Sequence, residues 1–159
     1  MAGKDNIFLC DRNLDFRNAD LAGFFQYWDA KRGGREFPSR EDIVPREIIR
    51  LLPWLHLHNV PPEGEDIHIR LVGTMLSDNF GKGDMRGKPL TVLPAGVYAR
   101  VKQAIDWVLE FRAPIRTYAP HAALPQRQFL GIESCFAPLS RHGGDINMII
   151  AVSILENWL

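Results

Sequence analysis

Residues 54–73 read Trp-Leu-His-Leu-His-Asn-Val-Pro-Pro-Glu-Gly-Glu-Asp-Ile-His-Ile-Arg-Leu-Val-Gly. Polar and apolar side chains alternate from Trp54 to Asn59 and again from Ile67 to Gly73, and the stretch Val60 to Asp66 between them is rich in turn formers. Period-two alternation sends successive side chains to opposite faces of an extended chain, so the segment is expected to be a β-hairpin. With Asn59 opposite Ile67, His58 faces His68, His56 faces Arg70 and Trp54 faces Val72 on one side. The other side carries Leu55, Leu57, Ile67, Ile69 and Leu71 and is expected to be the core side.

Downstream, residues 74–95 hold Gly81, Gly83, Gly87, Pro89 and Pro94, which leaves room for short helical turns only. Val97 to Phe111 carries the strongest helical pattern of the chain. Val97, Val101, Ala104, Ile105 and Val108 make its stripe, opposed by Arg100, Lys102, Asp106 and Glu110. Ile115 to Tyr118, Phe129 to Leu139 and Ile146 to Leu155 read as three further strands, with Ser140 to Asp145 as a hairpin turn. The last strand puts Ile146, Met148, Ile150, Val152 and Ile154 on one face and a mixed set, from Asn147 to Leu155, on the other.

Upstream, Asn18 suits the N-cap of a helix running to about Lys31, with Leu21, Phe24, Phe25 and Trp28 on one side and Gly33-Gly34 at its end. Pro45 opens a short helix that Pro53 closes. The expected organisation is an N-terminal arm (1–17), a helical extension (18–53) and a sheet-bearing core (54–159). Two strands, a helical middle and three strands, with no βαβ alternation, imply an α+β fold whose antiparallel sheet carries helices on one face.

Bulk properties narrow the function. The 159 residues suffice for one core, and 46% hydrophobic with 24% charged residues is ordinary for a folded domain. Nineteen basic residues balance nineteen acidic ones, so no net field draws the chain to nucleic acid or an anionic membrane. No apolar run reaches the length of a membrane helix, and the start lacks a signal-peptide core. Two distant cysteines, Cys10 and Cys135, argue against a disulfide framework and for a reducing cytoplasm.

The chain resembles a bacterial PAS-like family with an N-terminal helical preface. The matching stretches are Tyr27-Trp28, Gly34 to Arg40, Pro45 to Leu52, Arg70-Leu-Val-Gly-Thr74, and Gly81 with Arg86 to Leu90, within roughly residues 20–155. The resemblance implies a PAS-like five-stranded antiparallel sheet and a regulatory domain, not an enzyme. Such domains sense small ligands, bind cofactors, or dimerise and pass on conformational signals. The Asn-Cys pair of flavin-photochemical PAS domains is absent from the sequence, and no cofactor is assigned. A homodimer is expected, with output through a separate signalling protein.

Candidate residues follow from the two faces. A ligand cavity between helix 97–111 and the sheet is expected to involve Leu57, Leu71, Met75, Tyr98, Val101, Ile105, Phe129 and Glu133. Phe24, Trp28, Trp54, His56, His58, His68 and Arg70 are expected at an interface, with the histidine face turned outward under helix 18–31 or a second protomer. The same histidines support an alternative, a haem or metal sensor built on His56, His58 and His68, although Arg70 beside them opposes a cation. A solvated polar face is the plain reading, and a pH-sensitive interface is a further hypothesis. Glu133 either anchors a polar ligand or is turned outward by a bulge. Cys135 reads as a buried, inert thiol rather than a nucleophile partnered by His121. Gly81 to Gly87 lacks the order of a P-loop or a dinucleotide fingerprint and reads as flexible turns. A small hydrolase or isomerase on a cone-shaped α+β fold is the rival from another class.

Overall fold

The computed structural model describes residues 7–62, 65–124 and 129–157. Residues 1–6 of the expected arm, and positions 63 and 64 of the expected hairpin turn, lie outside the described residues. Strands β1 (Leu9–Asp11), β2 (Leu55–Asn59), β3 (His68–Val72), β4 (Ile115–Ala119), β5 (Gly131–Leu139) and β6 (Met148–Glu156) form one antiparallel sheet in the order β1-β4-β5-β6-β2-β3. The helices are α1 (Ala19–Arg32), α2 (Thr74–Phe80) and α3 (Ala95–Phe111), with 3-10 segments at Arg40–Asp42, Pro45–Trp54 and Leu90–Val92. The α+β class and the antiparallel layer are as the alternation implied. The sixth strand is β1, a three-residue edge inside the stretch read as an arm, paired with β4 through Cys10 and Thr117.

Helix α1 begins where its chemistry dictates. The Asn18 side-chain oxygen accepts from the backbone N–H of Asp20 at 2.9 Å and of Leu21 at 3.1 Å, satisfying two donors that have no partner inside the helix. Gly33, at φ 59°, closes it in a backbone conformation that glycine adopts without strain. Gly73 is fixed by space: a Cβ there would stand 2.3 Å from the carbonyl oxygen of Leu52 and 2.4 Å from that of Pro53. Strand β3 leaves the sheet against the 3-10 segment only because that position has no side chain.

The sheet is buried on both faces. On one, Leu21, Phe24 and Trp28 of α1 join Phe37, Ile43, Ile48 and Leu51 over Leu55, Leu57, Cys135, Met148, Ile150, Val152 and Ile154. The Trp28 indole N–H donates to the Pro138 carbonyl at 2.9 Å, which orients that ring on the sheet. On the other face, Val97, Ala104, Ile105 and Val108 of α3 cover Ile69, Ile115, Phe136, Ile149 and Ala151. The two faces are therefore exchanged relative to the sequence-based expectation. The aliphatic side of β6 lies beneath α1, and α3 lies over the mixed side. The large apolar side chains of α1 and of the segment after it need the more apolar face, and burial of each is worth roughly 1.5–3 kcal/mol.

The hairpin register differs as well. His56 pairs with Val72, Leu57 with Leu71, His58 with Ile69 and Asn59 with His68, with a bulge between Leu57 and His58 that leaves Arg70 as the extra residue. The expected row of His58 against His68 and His56 against Arg70 does not form. Without the bulge, the side chains on one half of β3 would lie on the wrong face.

Candidate functional site

The exchange of faces turns His56 and His58 inward, toward α3. Both are buried, His58 to 2% exposure, and both line a narrow cavity of about 50 Å³ between α3, α2 and the sheet. Val72, Leu76, Phe80, Leu93, Val97 and Val101 make much of its wall, and Thr117, Ser134 and Ser153 add hydroxyls from β4, β5 and β6. At half-buried Arg100, α3 contributes the cavity's charged side chain.

The polar groups form a chain. The Nε2 atom of His58 lies 2.7 Å from Nδ1 of His56, whose own Nε2 lies 2.9 Å from the Ser153 hydroxyl. Ser153 lies 2.7 Å from the Ser134 hydroxyl. The register creates this chain: Ser134 pairs with Ser153 across β5 and β6, and His56 with Ala151 across β2 and β6. The His56 ring also meets the Phe136 ring edge-on at 5.3 Å, an arrangement that holds its plane.

Burial pushes the His58 imidazole down to about 4, and burial with the neighbouring His58 ring pushes His56 well below the ordinary histidine range. Both rings are neutral at ordinary pH, so each has one N–H and one bare nitrogen. Two arrangements satisfy the shared contacts. If His56 Nδ1–H donates to His58, the Ser153 hydroxyl donates to His56 and His58 Nδ1–H is left over. If His58 Nε2–H donates instead, His56 Nε2–H donates to Ser153 and His58 Nδ1 is a bare acceptor. In both, His58 Nδ1 is buried without a partner among the described residues. A buried polar atom left unpaired costs about 1–3 kcal/mol.

The order Ser153, His56, His58 is that of nucleophile, base and orienting group. Its chemistry is weak here, because a base must accept a proton near the working pH, and His56 is held far below it. The same depression keeps both rings neutral at ordinary pH, so this pair does not supply the titration that a pH-sensitive interface requires. His68 does not join the pair: its Nδ1 meets the Asp66 carbonyl at 2.9 Å at the surface. Among the described residues no three His, Cys, Asp or Glu side chains come together as a metal site would require.

Of the other residues singled out from the sequence, Val101 lines the cavity. Ile105 is buried behind it in the α3 layer. Leu57 is on the opposite face, Tyr98 lines a separate open cleft beside Val60 and Leu109, and Leu71, Met75 and Phe129 are exposed. Phe24 and Trp28 are buried in this chain's own core, with Trp54 packed against it, and Arg70 is exposed at the bulge.

Glu133 is fully buried, in regular register with Tyr118 and Ile154, so no bulge turns it outward. It faces α1, not the cavity. Its carboxylate accepts from Arg116 Nε at 2.6 Å, from the backbone N–H of Arg17 at 2.9 Å and from that of Asn18 at 2.8 Å. The arrangement clamps the entry of α1 to the sheet. Cys135, on the same face, is buried, and desolvation raises its thiol further. Sequence reasoning missed Leu76, Arg100, Thr117, Ser134 and Ser153 as cavity residues. The small polar side chains on the mixed face of β5 and β6 were the available signal.

Between α3, α2 and a sheet packed on both faces lies a mostly apolar cavity with a row of buried histidine and serine side chains in its wall. A family model described as PAS domain matches residues 16–153, and the chain belongs to that family. Among solved structures, the chain is similar to "Crystal structure of sensory box sensor histidine kinase from Vibrio cholerae", with 16% identity, TM-score 0.48, and coverage of 91% of this chain and 99% of that one. It is also similar to "Flavin Analogue Sheds Light on Light-Oxygen-Voltage Domain Mechanism", with 11% identity, TM-score 0.41, and coverage of 69% and 82%. Among curated proteins nothing matches. No described helix is long and apolar enough to cross a membrane.

Proposed function

We propose that this PAS domain is a non-catalytic sensory module that binds a small molecule between α3 and the sheet and signals, as a homodimer, to a separate protein. One observation carries the reading: a buried chain of four polar side chains, ending in a ring nitrogen without a partner among the described residues, stands in the wall of a mostly apolar cavity. A fold gains nothing by leaving that nitrogen unpaired, and a ligand that hydrogen-bonds it removes the penalty. Few convergent polar groups in an apolar hollow is the general form of a small-molecule site.

A bound molecule would be read out at two helices and three strands at once. It would touch α2 through Leu76 and Phe80, α3 through Val97 and Val101, and strands β2, β5 and β6 through the polar chain. For self-association, the outer edge of β3 is covered at Ile67 and Ile69 by backbone hydrogen bonds to Gly87, Lys88 and Leu90, which leaves the exposed Arg70 and Leu71 beyond it as the available surface. Phe24 and Trp28 are excluded as dimer contacts by their burial.

Native mass spectrometry of freshly purified protein tests both halves. The expected species is a dimer carrying added small-molecule mass, and Val101→Trp, which fills the cavity, removes the added mass while leaving the dimer. A strict monomer at micromolar concentration removes the self-association half. Added mass that persists in Val101→Trp places any ligand elsewhere.

A further inference from the structure

Resting on the reading of this cavity as a ligand site, we infer that it takes a small monocarboxylic acid with an apolar body, its carboxylate paired with Arg100 at the rim. Arg100 is half-buried on α3 and is among the residues that line the cavity. It has no carboxylate within ion-pair distance among the described residues. One N–H donates to the His121 carbonyl at 2.8 Å, and the Phe8 ring lies beneath the group at 5.4 Å. A cation held partly out of water without a counter-charge is an unusual expense for a fold, and burial lowers its proton affinity accordingly.

The rest of the wall selects among anions. Among the described residues no Asp or Glu lines the cavity, so a cationic ligand would meet Arg100 and no opposing charge. The imidazoles on the floor are neutral, so a second carboxylate, driven deep, would be buried without compensation. One negative charge at the rim and an uncharged remainder meet both conditions. The forked donors of Arg100 suit a carboxylate, which accepts two parallel N–H bonds. At about 50 Å³, the cavity holds roughly four water-sized positions, enough for the tail of a short-chain acid.

Butanoate, butanamide and butylamine share a shape and differ in charge. Each is titrated into the full chain at matched ionic strength and followed by amide and imidazole NMR shifts. Butanoate is expected to bind at least tenfold more tightly than either analogue. In Arg100→Gln the preference disappears and butanoate falls to the level of butanamide; Arg100→Lys, which keeps the charge, retains a preference. If butanamide equals butanoate in the wild type, or the preference survives in Arg100→Gln, the carboxylate assignment is overturned while the cavity stands as a site for neutral ligands. If none of the three shifts His56 or His58, the assignment falls together with the reading on which it rests.

Discussion

Folding moves His58 from water, where its imidazole takes up a proton near pH 6.5, to a site where it stays neutral down to about pH 4. Between those values the unfolded chain binds a proton that the folded chain refuses. Stability is therefore complete above about pH 6.5 and falls as the pH drops through the window. From pH 6.5 to 5, His58 alone removes about 1.6 kcal/mol, the loss steepening toward 1.36 kcal/mol per unit as the unfolded imidazole becomes protonated, and His56 acts in the same direction. Urea unfolding at pH 7 and pH 5 should show this loss, and His58→Gln should reduce the slope by close to one proton. An unchanged slope in that variant would place the pH dependence elsewhere. The importance of His56 and His58 was legible in the sequence, because two imidazoles at i and i+2 must share a face. Which face was not legible, since that depends on which helix takes which side.

At the scale of elements, the boundaries that local chemistry decides were readable. Asn18 caps α1 and Gly33 ends it, Pro45 opens the 3-10 segment, and the alternation in β2, β3 and β6 gives their extent. Strand β1 was not readable, because three residues carry no period and their partner, β4, is about a hundred positions away. The bulge at Arg70 was hidden for a related reason: it is set by the contact of β3 with β2 and not by the residues of β3. Glu133 shows how a long-range contact governs an element. Its carboxylate holds Arg116 and the two backbone N–H groups that lead into α1. Glu133→Ala leaves the nearly buried Arg116 guanidinium with only the longer contact to Asp11, at 3.8 Å, and those donors unpaired, and should cost about 3–5 kcal/mol. Hydrogen exchange in that variant should accelerate at the start of α1 while amides in α3 keep their protection. Uniform loss of protection would show that the clamp supports the whole sheet and not α1 alone.

For the whole molecule, the layer architecture was implied by element order, and the family match over residues 16–153 agrees with it. The distribution of the layers was not implied. Hydrophobicity along β6 pointed to the aliphatic face as the one beneath the long helix, yet that face belongs to α1, whose Leu21, Phe24 and Trp28 demand it. The long helix instead covers the face bearing histidines and serines, where packing is incomplete and a cavity remains. One face, densely apolar, holds the fold together, while the other keeps histidine and serine side chains out of water beside the cavity.

The claim that this second face is a ligand site is tested most directly by screening small fragments against isotope-labelled protein and mapping the shifted resonances. Hits clustering on His56, His58, Val101, Ser134 and Ser153 are predicted. Hits confined to the α1 face or to the exposed Arg70 and Leu71 of β3, or none that reach the histidine pair, would contradict it.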